Sequence, residues 1–159
     1  MVERIFEWLA RALAIAGGLL VVAITIVTTY SIVGRWLFGS PLLGDTEVVE
    51  YGMAVVVAFF LPICQWRGEN IIVDFFTTRA SPAVQAWLDA LGALVLGCTM
   101  AAVAWRTGVG LVDMRAAGQT STIIGVPTWY TYAGMLPGLV LSAVAGFACA
   151  HEQVRKALA

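Results

Sequence analysis

The chain has 159 residues, of which 60% are hydrophobic and only 12% charged, about half the charged share of a soluble domain. One domain of this length has too little interior to hide so much apolar surface, which excludes an ordinary soluble globular enzyme. A net charge of −1 supplies no basic face for nucleic acid, and a single histidine, His151, argues against multi-histidine metal or haem sites.

The gaps between charges predict an all-α integral membrane protein in one membrane domain, 1–159. Residues 3–11 read as a short amphipathic helix at the interface, with Ile5, Phe6, Trp8 and Leu9 on its apolar side and Arg4, Glu7 and Arg11 on its polar side. A frayed start of the first membrane helix is the alternative. Ala12 to Gly34 is a charge-free run of 23 residues, about 34 Å as a helix, which is enough to cross a hydrocarbon core of about 30 Å. Tyr51 to Trp66 is charge-free for 16 residues and too short alone, so the second membrane helix must recruit Glu47 or Glu50 and is placed at 47–66. Between the second and third helices, Asn70 to Phe76 mixes apolar and polar residues, and Ser81 can cap a helix starting at Pro82. The third helix is placed at 87–106. The last charge-free run, Ala116 to Ala150, is 35 residues long, more than one crossing. A helix at 127–150, with Pro127 in its first turn, resolves the excess.

All six tryptophans (Trp8, Trp36, Trp66, Trp87, Trp105 and Trp129) fall near the ends of these segments, the pattern of an aromatic belt. Lys and Arg set the orientation. With the N-terminus inside, inner segments hold Arg4, Arg11, Arg67, Arg79, Arg155 and Lys156, and outer segments hold Arg35, Arg106 and Arg115. That bias predicts both termini in the cytoplasm.

Polar residues at the ends of the apolar runs are the candidate sites. Arg35 closes the first helix and Glu50 opens the second, with Asp45 and Glu47 between them. The arrangement reads as an Arg35–Glu50 clamp, with a partner contact or an ion path as the alternative, because only Glu50 is placed at membrane depth. Arg67-Gly68-Glu69-Asn70 ends the second helix, as an anchor for another subunit or as a positive flank with a glycine stop. Asp74 stands among apolar residues and is expected at the headgroups. The fourth helix carries small residues at a spacing of four, Gly134, Gly138, Ser142, Gly146 and Ala150, and the third a shorter row, Ala93, Gly97 and Ala101. These rows predict a packing seam, with Leu139 on another face and tolerant of truncation. Pro137 should bend the fourth helix. Cys64, Cys98 and Cys149 lack CxxC spacing and read as buried, inert thiols. No nucleophile–base pair, phosphate loop or metal cluster is visible, so no enzyme activity is expected.

Taken together the pattern resembles the small permease subunit of TRAP transporters, the DctQ type. The resemblance covers most of the chain. It is carried by four helices, by Gly34-Arg35-Trp36-Leu37-Phe38-Gly39-Ser40-Pro41, and by the acidic Glu47 and Glu50. It continues through Arg67-Gly68-Glu69-Asn70-Ile71-Ile72-Val73-Asp74, Ser121, Gly125-Val126-Pro127-Trp129 and Pro137. The family often has histidine where this chain has Asn70. The resemblance implies a non-catalytic scaffold in the bacterial inner membrane, working with a large permease subunit that holds the substrate and sodium sites. It also implies a periplasmic solute-binding protein and an organic acid such as a dicarboxylate as solute. No cofactor is expected on this chain, and membrane lipid is its other partner. Two alternatives are a stand-alone small secondary transporter with Glu50 as a proton-coupled site and a tricarboxylate-type small subunit.

Overall fold

The computed structural model describes residues 2–40, 42–67 and 82–158. They form four helices, α1 Val2–Phe38, α2 Asp45–Trp66, α3 Pro82–Ala116 and α4 Trp129–Leu158, each long and apolar enough to cross a membrane. At 1.5 Å per residue they measure about 55, 33, 52 and 45 Å. The protein is therefore an all-α membrane protein. Asn70, Asp74 and Ser81 lie outside the described residues.

Several boundaries differ from the sequence reading, among them the end of the fourth helix, which runs past 150 to Leu158. Residues 3–11 do not form a separate interfacial helix but are the first turns of α1. No glycine or proline interrupts the chain before Gly17. Phe6 and Ala10, one turn apart, are buried against Ala145 of α4, with Ile63 and Trp66 of α2 packed around them. The Phe6 and Trp66 rings stack with centroids 4.5 Å apart. The third helix runs ten residues past its expected end at 106, which puts Arg106 and Trp105 within α3 rather than beside a loop. It stops where Gly118 takes a left-handed φ of 61°. There the amides of Gly118 and Gln119 bond back to the carbonyls of Arg115 and Met114, the pairing that closes a helix on a C′ glycine. Pro127 lies outside α4 and bridges instead to Thr120.

The helices form an open array in the order α1, α2, α4, α3. Among the described residues α4 packs on both α2 and α3, α1 packs on α2, and α1 and α3 do not meet. A small core of Ala58, Ala104 and Leu139 ties α2, α3 and α4 together. Leu139 is only 4% exposed, which corrects the expectation that it lies on a tolerant face. Its side chain fills the junction between Ala58 and Ala104, where the small neighbours leave room for one large residue. Cys98 is exposed rather than buried. Large apolar side chains along α1, including Ile15, Leu19 and Ile26, are also exposed, as expected where lipid or another subunit is the solvent.

Candidate functional site

The polar residues gather at one end of the array, around the α1–α2 turn and the α3–α4 connection. α1 ends on Gly39, whose amide bonds the Arg35 carbonyl at 3.2 Å and whose positive φ turns the following Ser40 amide back to the Gly34 carbonyl at 3.4 Å. The chain then returns to α2 at Gly44. Asp45 is the hub of this corner. Its Oδ2 accepts the Ser31 hydroxyl at 2.6 Å and lies 3.6 Å from the Arg35 guanidinium, and its Oδ1 accepts the Thr46 amide at 2.8 Å. Ser31, only 1% exposed, also accepts the Leu42 amide at 3.2 Å. The expected Arg35–Glu50 clamp is thus an Arg35–Asp45 pair completed by Ser31. Glu50 is exposed and makes no hydrogen bond or ion pair among the described residues. Being one and a half turns further along α2, it points away from the corner that Asp45 occupies.

Glu47 does different work. Its carboxylate accepts three consecutive backbone amides of the α3–α4 connection: Thr122 at 2.9 Å, Ile123 at 2.9 Å and Ile124 at 3.0 Å. Successive amides turned to one side make a concave anion site, and here the anion is the protein's own side chain. The connection is shaped to offer it. The Ser121 amide bonds the Val126 carbonyl at 2.8 Å and the Thr128 amide bonds the Gln119 carbonyl at 3.1 Å, while the Ser121 hydroxyl accepts the Val126 amide at 3.2 Å. The result is a small hairpin whose tip is Thr122–Gly125, with Gly125 at φ 73°. Pro127 serves this hairpin by pairing with Thr120. Ile124 rests on Gly44 so closely that a β-carbon there would collide with its side chain, and Gly44 needs its φ of 84° as well. Gly44 is therefore glycine for two independent reasons.

The small-residue row of α4 is a seam with two neighbours. A β-carbon at Gly134 would lie 2.9 Å from Val55 of α2, and one at Gly138 would run into the Ala58 backbone carbonyl. A β-carbon at Gly146 would lie 2.6 Å from the Gly97 Cα of α3. Ser142 is fully buried and returns its hydroxyl to the Gly138 carbonyl at 2.8 Å. Pro137 stands inside α4 beside this contact. Between Ser142 and Gly146 enters Gln65 of α2, 5% exposed. With its amide set so that both ends meet complementary groups, its nitrogen donates to the Ser142 carbonyl and its oxygen accepts the Gly146 amide, each at 3.2 Å. These are the two groups that a regular helix pairs with each other. Arg67 closes α2 two residues further on, its amide on the Ile63 carbonyl at 3.1 Å.

Sequence reading missed Asp45 as the hub, and it missed Ser31, Gly44 and Gln65. A glutamine just before Trp66 at the end of an apolar run was the available signal for the last. A groove of about 660 Å³ runs between α3 and α4, lined by Trp105, Val109, Val112, Val144 and Phe147 with Asp113 nearest the α3–α4 connection. Its one charged lining residue is a carboxylate, which repels rather than holds an organic acid.

A family model described as the DctQ component of tripartite ATP-independent periplasmic transporters matches residues 24–156. No curated relative and no solved structure matches the chain.

Proposed function

The chain belongs to the DctQ component family of tripartite ATP-independent periplasmic transporters, and from that premise we propose that it is the small, non-catalytic scaffold on which the large permease subunit is held. The supporting observation is where the polar side chains go. Asp45, Glu47 and Gln65 each tie one element of this chain to another, and none is left facing a cavity that could take a solute.

In this reading the large subunit carries the substrate and sodium sites, and a periplasmic binding protein delivers an organic acid such as a dicarboxylate. This chain needs no cofactor of its own. It lies in the bacterial inner membrane with both termini in the cytoplasm, which the excess of Lys and Arg on the inner segments supports. The outer hairpin then faces the periplasm.

Reconstitution tests the assignment. Uptake of a labelled dicarboxylate under a sodium gradient should require this chain, the large subunit and the binding protein together. Transport by this chain alone would overturn the scaffold role. Reporter fusions after Leu158 and within 118–126 should report opposite sides of the membrane.

A further inference from the structure

Arg106 has no charged partner among the described residues, and the nearest charge on its own face of α3, Asp113, is two turns further along. α3 and α4 run antiparallel in constant register. The Arg115 guanidinium lies 5.3 Å from the centre of the Trp129 ring, Gly110 meets the Tyr132 ring, Gly108 meets Leu136, Ala104 clusters with Leu139, and Gly97 sits on Gly146. That register puts Arg106 level with Pro137. Trp129 opens α4 at the outer end, and Trp66 marks the inner end where it packs beside Ala145. Pro137 is eight residues from Trp129 and eight from Ala145, about 12 Å along the helix in each direction. Arg106 therefore lies about 12 Å inside the level of Trp129, while Asp45, Glu47, Glu50, Asp113 and Arg115 sit nearer the outer end of the span.

The side chain is exposed and has no hydrogen bond or ion pair among the described residues. It projects from the side of α3 opposite the face that carries Gly97, Ala104 and Gly108, so it leaves the array at its open edge. Snorkelling to headgroups is the habit of arginines near helix ends, and Arg106 is ten residues from the end of α3 at Ala116. An unpaired cation at this depth is strongly unfavourable, and intramembrane charges face protein and pair with an opposite charge. The surface around it suits a close neighbour. Ala102 and Thr99, one and two turns below on the same face, are small and exposed, and a β-carbon at Gly92 would meet nothing.

We propose that Arg106 docks the outer face of α3 onto a membrane-embedded carboxylate of the large permease subunit. The inference rests on the scaffold reading above and adds to it the surface and the chemistry of the contact. The test uses the complex of this chain with its co-expressed large subunit. A photoreactive benzoylphenylalanine at Ala102, with Arg106 intact, should cross-link to the large subunit. Arg106→Gln should reduce copurified large subunit by roughly three- to tenfold, the range of intramembrane polar contacts, and Arg106→Lys should restore most of it. Cross-links to lipid alone, or an Arg106→Gln chain that copurifies its partner like the parent, would overturn the docking surface and leave the scaffold role standing. If the unmodified chain brought down no large subunit, both would fall.

Discussion

Gly138 of α4 sits directly on the Ala58 carbonyl oxygen of α2, so closely that any β-carbon there would overlap it. The carbonyl is available for this contact because residue 62, which would supply its amide partner one turn on, is Pro62. Pro62 is itself fully buried. One helix thus exposes a bare carbonyl, and the other omits the side chain that would cover it. Close approach of backbones is the main source of helix association in lipid, where the hydrophobic effect no longer separates packed from unpacked helices.

Gly138→Ala should therefore be enough to disrupt the subunit, without a bulky replacement, because the obstruction is backbone and cannot swing aside. Loss of a monodisperse peak in detergent chromatography, with a lowered thermal midpoint, is the expected result. The exposed Val140→Leu should behave like the parent. Leu139→Ala should be damaging too, by about 2 kcal/mol or more, since it empties the Ala58–Ala104 junction. A Gly138→Ala protein as stable as the parent would mean that α2 and α4 are not in this contact.

At the α1–α2 corner, Asp45 should matter more than either Arg35 or Glu50. Removing Asp45 strands the buried Ser31 hydroxyl, which then loses its acceptor. Removing Arg35 gives up only a 3.6 Å pairing of a largely exposed guanidinium, a kind of contact that contributes little. The thermal midpoints should fall in the order Glu50→Gln, Arg35→Gln, Asp45→Ala, with Glu50→Gln close to the parent. A Glu50→Gln chain less stable than Asp45→Ala would restore the clamp first read from the sequence.

Gln65 makes the third case. Its amide satisfies a carbonyl and an amide of α4 together, so shape and hydrogen-bond polarity are both specified. Gln65→Leu keeps much of the volume but removes both contacts, at about 1–3 kcal/mol. Gln65→Glu keeps the volume and turns an oxygen toward the Ser142 carbonyl, and it should be the worse variant at neutral pH although it is the more similar residue. Equal melting of the two variants would show that the polar pairing contributes nothing beyond packing.

How much of this was legible beforehand follows from the range of each interaction. The four crossings were legible because they rest on composition over about twenty residues, and the α4 seam because its period of four repeats along one helix. What failed depended on a partner distant in sequence. Arg106 read as a loop residue because charge spacing alone ended the helix there, whereas the helix ends where Gly118 closes it. Asp45 and Glu47 looked like equivalent neighbours, yet one caps the turn next to it and the other holds a loop 75 to 77 residues away. Leu139 looked peripheral because its place at the junction of α2, α3 and α4 is set by how the helices cross, which periodicity within one helix does not encode.

Glu47 sets the last prediction. Three amides, Thr122, Ile123 and Ile124, have this carboxylate as their acceptor, and an exposed hairpin of this size has little else to hold it down. Glu47→Gln leaves one acceptor oxygen and turns an NH2 group toward donors, so at least one amide must find water. Glu47→Asp keeps the charge but shortens the reach by one methylene. In hydrogen exchange on the detergent-solubilised chain, residues 122–124 should be protected in the parent. They should exchange much faster in Glu47→Gln and at an intermediate rate in Glu47→Asp, while the ladder of α2 below Gly52 stays unchanged. Protection must follow the carboxylate and not the packing of Ile124 on Gly44. If Gly44→Ala, which disturbs that packing, freed the amides while Glu47→Gln left them protected, the hairpin would be held by Ile124 instead.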